Sequence, residues 1–162
     1  MSYKRIMYVV IIWGLIIFVP VARAQQPYDI TECYSFVLSV LQESQEMRIL
    51  GLDAKGIVQS NHVNKVFDNC TVQTMGIRMD TKGSSVAHGY FKYMDRDGDI
   101  FIMEGIMAEG EKGATMKFIY GTGKWNGIKG EGKDQQITRG KPITSGTAQM
   151  CFRHTGTFEL PK

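Results

Sequence analysis

The chain has 162 residues, 43% of them hydrophobic, with 19 Lys and Arg against 16 Asp and Glu. That length suits one domain, and three cysteines are too few for a disulfide-framework scaffold. Lys4, Arg5 and Arg23 lie in the first 24 residues, and without them 16 basic residues face 16 acidic ones, so charge gives no case for nucleic acid or an anionic membrane as partner.

Residues 1–24 read as a secretory signal peptide cleaved after Ala24. Lys4 and Arg5 give a positive start, residues 6–19 form an apolar run interrupted only by Gly14, Pro20 ends it, and Ala22-Arg23-Ala24 supplies the small-x-small cleavage pattern. The run is shorter than the roughly 20 residues that span a bilayer, which argues against the alternative of an uncleaved anchor. No cysteine follows it where a lipoprotein signal would need one. Residues 25–162 are then expected to form a single domain, secreted or periplasmic, with no stable membrane insertion after cleavage.

Residues 31–45 fit two templates. Phe36, Val37, Val40 and Leu41 have helical spacing, while Cys33, Ser35, Val37, Ser39 and Leu41 read as one strand face, and strand is preferred because every later signal is β. Residues 46–58 carry Met47, Ile49, Leu50, Leu52, Ile57 and Val58, with turn-type residues at Asp53-Ala54-Lys55-Gly56. A strand follows at 69–80 and a turn at 81–84. Strands at 86–94 and 100–108 flank Asp95-Arg96-Asp97-Gly98-Asp99. Another turn at 109–113 leads to a strand at 114–120, then the glycine-rich 121–132, and last strands near 135–139 and 147–160. Short strands with turn chemistry every 8–14 residues predict an all-β antiparallel barrel or sandwich. Eighteen glycines against four prolines fit bent strands.

The clearest hairpin is 86–108. If Asp95 and Asp99 close it, Tyr93 faces Phe101 and Phe91 faces Met103, which puts Phe91, Tyr93, Phe101, Met103 and Met107 on one face. Met116, Phe118 and Tyr120 continue that face. These eight residues are the expected lining of a ligand pocket, with a solid core as the alternative. The other face holds His88, Tyr90, Lys92, Ile102, Glu104 and Ile106.

The acidic turn fails the EF-hand pattern, because the glycine falls at position 4 and position 12 is Ile106. A hairpin turn with Gly98 at positive φ is the better reading. The stretch Gly121-Thr122-Gly123-Lys124-Trp125-Asn126-Gly127-Ile128-Lys129-Gly130 fails both phosphate-loop patterns: position 126 is Asn, and Lys124 is followed by Trp125. It reads as a barrel-closing turn through Asn126-Gly127, with Trp125 as a plug and Ile128 packed beneath it. His62, His88 and His154 lack zinc-ligand spacing, so no metal and no cofactor is expected. No Gly-x-Ser-x-Gly elbow is present. For acid–base chemistry the candidates are Glu104, placed by the register opposite Tyr90, with Tyr90 and His88 beside it; an exposed Glu104 paired with Lys117 on the next strand is the preferred alternative.

The sequence Asp-x-Asp-Gly-Asp (95–99), a strand, and Gly-Thr-Gly-Lys-Trp-x-Gly-Ile-x-Gly-x-Gly (121–132) resembles the small β-barrel superfamily of allene oxide cyclases and dirigent proteins, especially its secreted bacterial branch. The resemblance covers mainly residues 69–161 and marks architecture. It implies a single eight-stranded antiparallel barrel with an apolar cavity that holds, or in enzyme members cyclises, a small hydrophobic molecule, and a possible homo-oligomer. No active-site residue of an enzyme member can be matched. The resemblance also points to a Cys70–Cys151 disulfide, both cysteines lying in strand-like runs, with Cys33 left as the odd thiol; three buried free thiols stay open as the alternative. The leading expectation is therefore a secreted barrel that binds a small apolar ligand without a cofactor. A cyclase or isomerase, or an oligomeric interaction protein, is the competing reading.

Overall fold

The computed structural model describes residues 24–161, so the expected signal peptide lies almost wholly outside the described residues. Among the described residues no helix is long and apolar enough to cross a membrane. Eight strands run in order: β1 Gln26–Glu43, β2 Met47–Ser60, β3 Thr71–Thr81, β4 Ser84–Met94, β5 Ile100–Met107, β6 Thr115–Gly121, β7 Lys129–Arg139 and β8 Thr147–Glu159. Each pairs antiparallel with the next, and β8 pairs back onto β1, so the sheet closes into a barrel. The spacing of strands and turns allowed an all-β barrel or sandwich, and the eight-stranded barrel is the one that the resemblance implied.

Alternation decides what fills the lumen. On β1, Tyr28, Ile30, Glu32, Tyr34 and Phe36 are buried, while Cys33, Ser35 and Val37 are exposed. The strand reading of this region holds. Residues 53–56 form no turn: Asp53 and Lys55 are merely the outward side of a continuous β2, and Ala54 between them is buried. Turn-type residues can occupy the wet face of a strand without breaking it.

One end of the barrel is solid. Phe67 lies in the loop between β2 and β3 and is only 3% exposed, with ring centroids 4.9 Å from Phe101, 5.1 Å from Phe158 and 5.2 Å from Trp125. Lys65, Phe67 and Asn69 all take positive φ, which non-glycine residues rarely adopt, so this loop holds a costly backbone to insert the ring. Tyr93 stacks on Phe101 at 4.5 Å. Outside the plug, Asp95 accepts hydrogen bonds from the Trp125 ring N–H at 2.7 Å and from the backbone of Asp97 and Asp99. Lys124 Nζ lies 2.9 Å from Asp95 and 2.6 Å from Asp97. The acidic turn and the glycine-rich loop are thus one clasp across the barrel end, and its carboxylates are already engaged. Gly98 has φ 86° and Gly127 φ 73°.

The disulfide corrects the expected pairing. It joins Cys33 to Cys151, while Cys70 is the free and buried thiol. Cys33 and Cys151 are direct partners in the β1–β8 ladder, with Cα atoms 4.1 Å apart on the outer face. Cys70 stands beside the aromatic plug, 1% exposed, where burial first and the Asp95 charge second push its thiol up to about 12. A strand-like environment was the wrong criterion, since a ladder disulfide needs two directly opposed positions. The bridge lies across the seam where the first strand meets the last, over a sequence separation of 118.

A crosslink closing a loop that long restricts the unfolded chain by roughly 4–5 kcal/mol. Replacing both Cys33 and Cys151 by Ser is expected to cost about 2–5 kcal/mol in urea unfolding, whereas Cys70→Ser leaves the crosslink intact by peptide mapping.

Candidate functional site

At the end opposite the plug the lumen is open. A cavity of about 270 Å³ is lined by Tyr34, Phe36, Leu50, Phe91, Met150 and Phe152 among others. Its origin is legible in the register. Gly76 on β3 pairs with Gly89 on β4, and Gly89 pairs with Gly105 on β5. Three adjacent strands therefore present no side chain at one level of the inner wall. One level towards the plug the same strands carry Thr74, Phe91 and Met103, and beyond that Val72, Tyr93 and Phe101. A small barrel is filled by whatever its inward positions carry, so the side chains missing at Gly76 and Gly89 leave space, while Gly105 yields its room to Phe91 and Met116. Phe91 leans over Gly105, where an added Cβ would meet its ring edge at 2.7 Å.

Where the packed half meets the open half lies a buried carboxylate. Glu32 is 2% exposed and accepts hydrogen bonds from the Tyr34 hydroxyl at 2.7 Å and the Tyr93 hydroxyl at 2.8 Å. His154, fully buried, holds Nδ1 3.6 Å from Glu32 without a hydrogen bond, and its Nε2 is 3.3 Å from the Tyr28 hydroxyl. A carboxylate this deep persists because two hydroxyl donors and an imidazole face it. Burial first and the Glu32 charge second push the Tyr34 and Tyr93 hydroxyls far above the ordinary tyrosine range, so both remain donors. Tyr34 also lines the cavity and so connects the network to it.

The remaining polar lining has two parts. Asp134 on β7 accepts the backbone N–H of Ala114 and faces the lumen; burial pushes its carboxyl up, with Ala114 opposing. At the mouth stand Arg48, Arg78, Arg139 and Lys112, with Asp80. Arg78 donates to Asp80 at 2.7 Å.

The sequence-predicted residues distribute unevenly. Phe91 and Met107 stand in the cavity wall, while Tyr93, Phe101, Met103, Met116 and Phe118 are buried in the packed half. Tyr120 is corrected to the outer face, 51% exposed: Ile102 pairs with Tyr120 but Met103 with Phe118, so a bulge at Ile119 reverses the alternation. Gly121 ends β6, Trp125 and Ile128 are buried, and Gly123, Gly127 and Gly130 all take positive φ in and after the closing turn. Glu104, Tyr90 and His88 do meet, with Glu104 accepting from Tyr90 at 3.2 Å and lying 2.8 Å from His88 Nε2. They do so on the outer wall, where the His88 contact holds the Glu104 carboxyl below its usual range. Among the described residues no group of three or more His, Cys, Asp or Glu is arranged to hold a metal ion.

Glu32, Tyr34, Asp134, His154 and the arginines were not foreseen. A signal existed for Glu32, because Tyr28, Ile30, Glu32, Tyr34, Phe36 and Leu38 occupy alternate positions and Glu32 is the one charge in that apolar set.

No family model matches the chain, and no curated protein matches it in sequence. Among solved structures, the pterocarpan synthase dirigent protein GePTS1 superposes with a TM-score of 0.52 at 11% identity, over 86% of this chain and 93% of that one. The pterocarpan synthase dirigent protein PsPTS1 gives a TM-score of 0.49 at 10% identity, over 86% and 99%. At such identities the likeness is one of architecture: this chain folds as a closed eight-stranded barrel of the dirigent type.

Proposed function

We propose that this chain is a secreted or periplasmic barrel that binds a small hydrophobic molecule in the open half of its lumen. The observation that carries the reading is the cavity behind the Gly76, Gly89 and Gly105 row, walled by Phe36, Phe91, Phe152, Leu50 and Met150. Such a wall offers apolar contact with a few convergent polar groups, which is the usual composition of a small-molecule site. Its volume suits a ligand of one or two fused rings. The location is supported by the Cys33–Cys151 disulfide, which persists in oxidising compartments, and by the apolar segment at residues 6–19.

A second reading, an isomerase or cyclase acting without cofactor, draws on Asp134. A carboxyl raised by burial and facing an apolar cavity keeps its proton to a higher pH than an ordinary aspartate and can donate it to a bound oxygen. Tyr34, its proton donated to Glu32, would offer its hydroxyl oxygen as an acceptor to a guest hydroxyl. The Glu104, Tyr90 and His88 side chains are bonded to one another on the outer wall, and of the three only His88 touches the cavity lining, which leaves this role to the lumen residues.

Filling the cavity tests the first reading. Leu52 lines it from β2, and Leu52→Trp is expected to weaken 2-naphthol binding, followed by fluorescence titration, at least tenfold without lowering the melting temperature by more than a few degrees. Equal affinity in both proteins would contradict it.

The acid role of Asp134 predicts a pH signature. Its folded pKa lies above the unfolded value, so the stability it contributes is present below the ordinary aspartate range and is lost as pH rises through the folded value. Asp134→Asn removes that loss, so the variant should gain stability relative to wild type as pH rises above the ordinary aspartate range, read as urea midpoints. A stability difference independent of pH would refute the raised carboxyl.

A further inference from the structure

The cavity mouth carries a charge pattern that an apolar guest does not require. Four cationic side chains line it: Arg48 from β2, Arg78 from β3, Arg139 from β7, and Lys112 from the loop between β5 and β6. They converge from both sides of the barrel on one opening. Two carboxylates share the lining, Asp80 and Asp134. Asp80 is occupied, accepting from Arg78 and from the Ser85 hydroxyl. Asp134 lies deeper, tied to the Ala114 N–H.

Some of the cationic capacity is unused. Among the described residues Arg139 and Lys112 make no ion pair or side-chain hydrogen bond. Arg48 Nε lies 3.2 Å from a Glu43 carboxylate oxygen, in an ion pair without hydrogen-bond geometry. Guanidinium groups at a partly desolvated opening suit a planar oxyanion, which they bind through paired N–H donors.

We infer that the guest is an amphipathic anion: an apolar, ring-sized body among Phe36, Phe91 and Phe152, with a carboxylate or similar oxyanion held at the mouth by Arg48 and Arg139. This rests on the reading of the lumen as a ligand cavity and adds the chemical class of the ligand. A neutral guest of the same shape fills the same apolar space but leaves Arg139 and Lys112 without a counter-charge, so the anion is preferred.

The test compares 2-naphthoate with methyl 2-naphthoate, which share a ring system and differ in charge, by calorimetric titration at low salt. Wild type should bind the acid at least tenfold more tightly than the ester, and the ratio should shrink as salt is raised. In Arg139→Gln and in Arg48→Gln the ratio should fall towards one. Arg96→Gln, at the acidic turn of the opposite barrel end, should leave it unchanged. Equal affinities for acid and ester in wild type would overturn the inference while leaving the ligand cavity standing. A ratio above ten that survives in both arginine variants would also overturn it, because the selectivity would then arise elsewhere. Binding of neither compound, together with failure of 2-naphthol, would remove the cavity reading and the inference with it.

Discussion

A sheet that closes on itself with eight strands has a lumen of fixed width, and this constraint governs everything else in the molecule. The wall cannot relax inwards to fill a gap as two open layers can. What the lumen contains is therefore decided level by level by the side chains that alternation turns inward. Here the levels differ. Aromatic rings from β4, β5, β6 and β8, joined by Phe67 from a loop, fill one half. Glycines in register on β3 and β4 open the other.

The boundary between the halves is where the chemistry collects. Glu32 is buried there at a cost that only the hydroxyls of Tyr34 and Tyr93 and the facing His154 make tolerable. A solid apolar core of the same volume would be simpler to stabilise, since a buried charge is weak evidence for stability. Its placement under the floor of a cavity, with Tyr34 spanning both, fits a site that presents a polar group to a guest. The outer seam is secured separately by the Cys33–Cys151 bridge, and the plugged end by the clasp of Asp95 with Trp125 and Lys124. These fixings hold the frame while the open end stays accessible.

Much of the frame was legible from the residues. The hairpin register of Tyr93 with Phe101 and Phe91 with Met103 follows from the Asp95–Asp99 turn alone, because a turn fixes the pairing on both sides of it. Position along the barrel axis was not legible. Nothing in Tyr93 or Met103 themselves says that their level is packed while that of Gly89 and Gly105 is open; only pairing across three strands reveals the glycine row. Tyr120 was misplaced because a bulge carries no residue signature at Ile119. The disulfide was misread for a related reason, since opposition of Cys33 and Cys151 depends on how the first and last strands meet, 118 residues apart in the chain. The site arginines escaped because each is one exposed-looking charge on a separate strand, gathered only by closure.

The proposed function rests on a single geometrical fact, the open half-lumen walled by Phe36, Phe91 and Phe152. A high-resolution crystal structure of the protein tests it most directly. The account predicts Phe36, Phe91 and Phe152 rings held apart, with ordered solvent or a bound molecule between them. Rings collapsed onto one another, leaving no space for a guest, would contradict it.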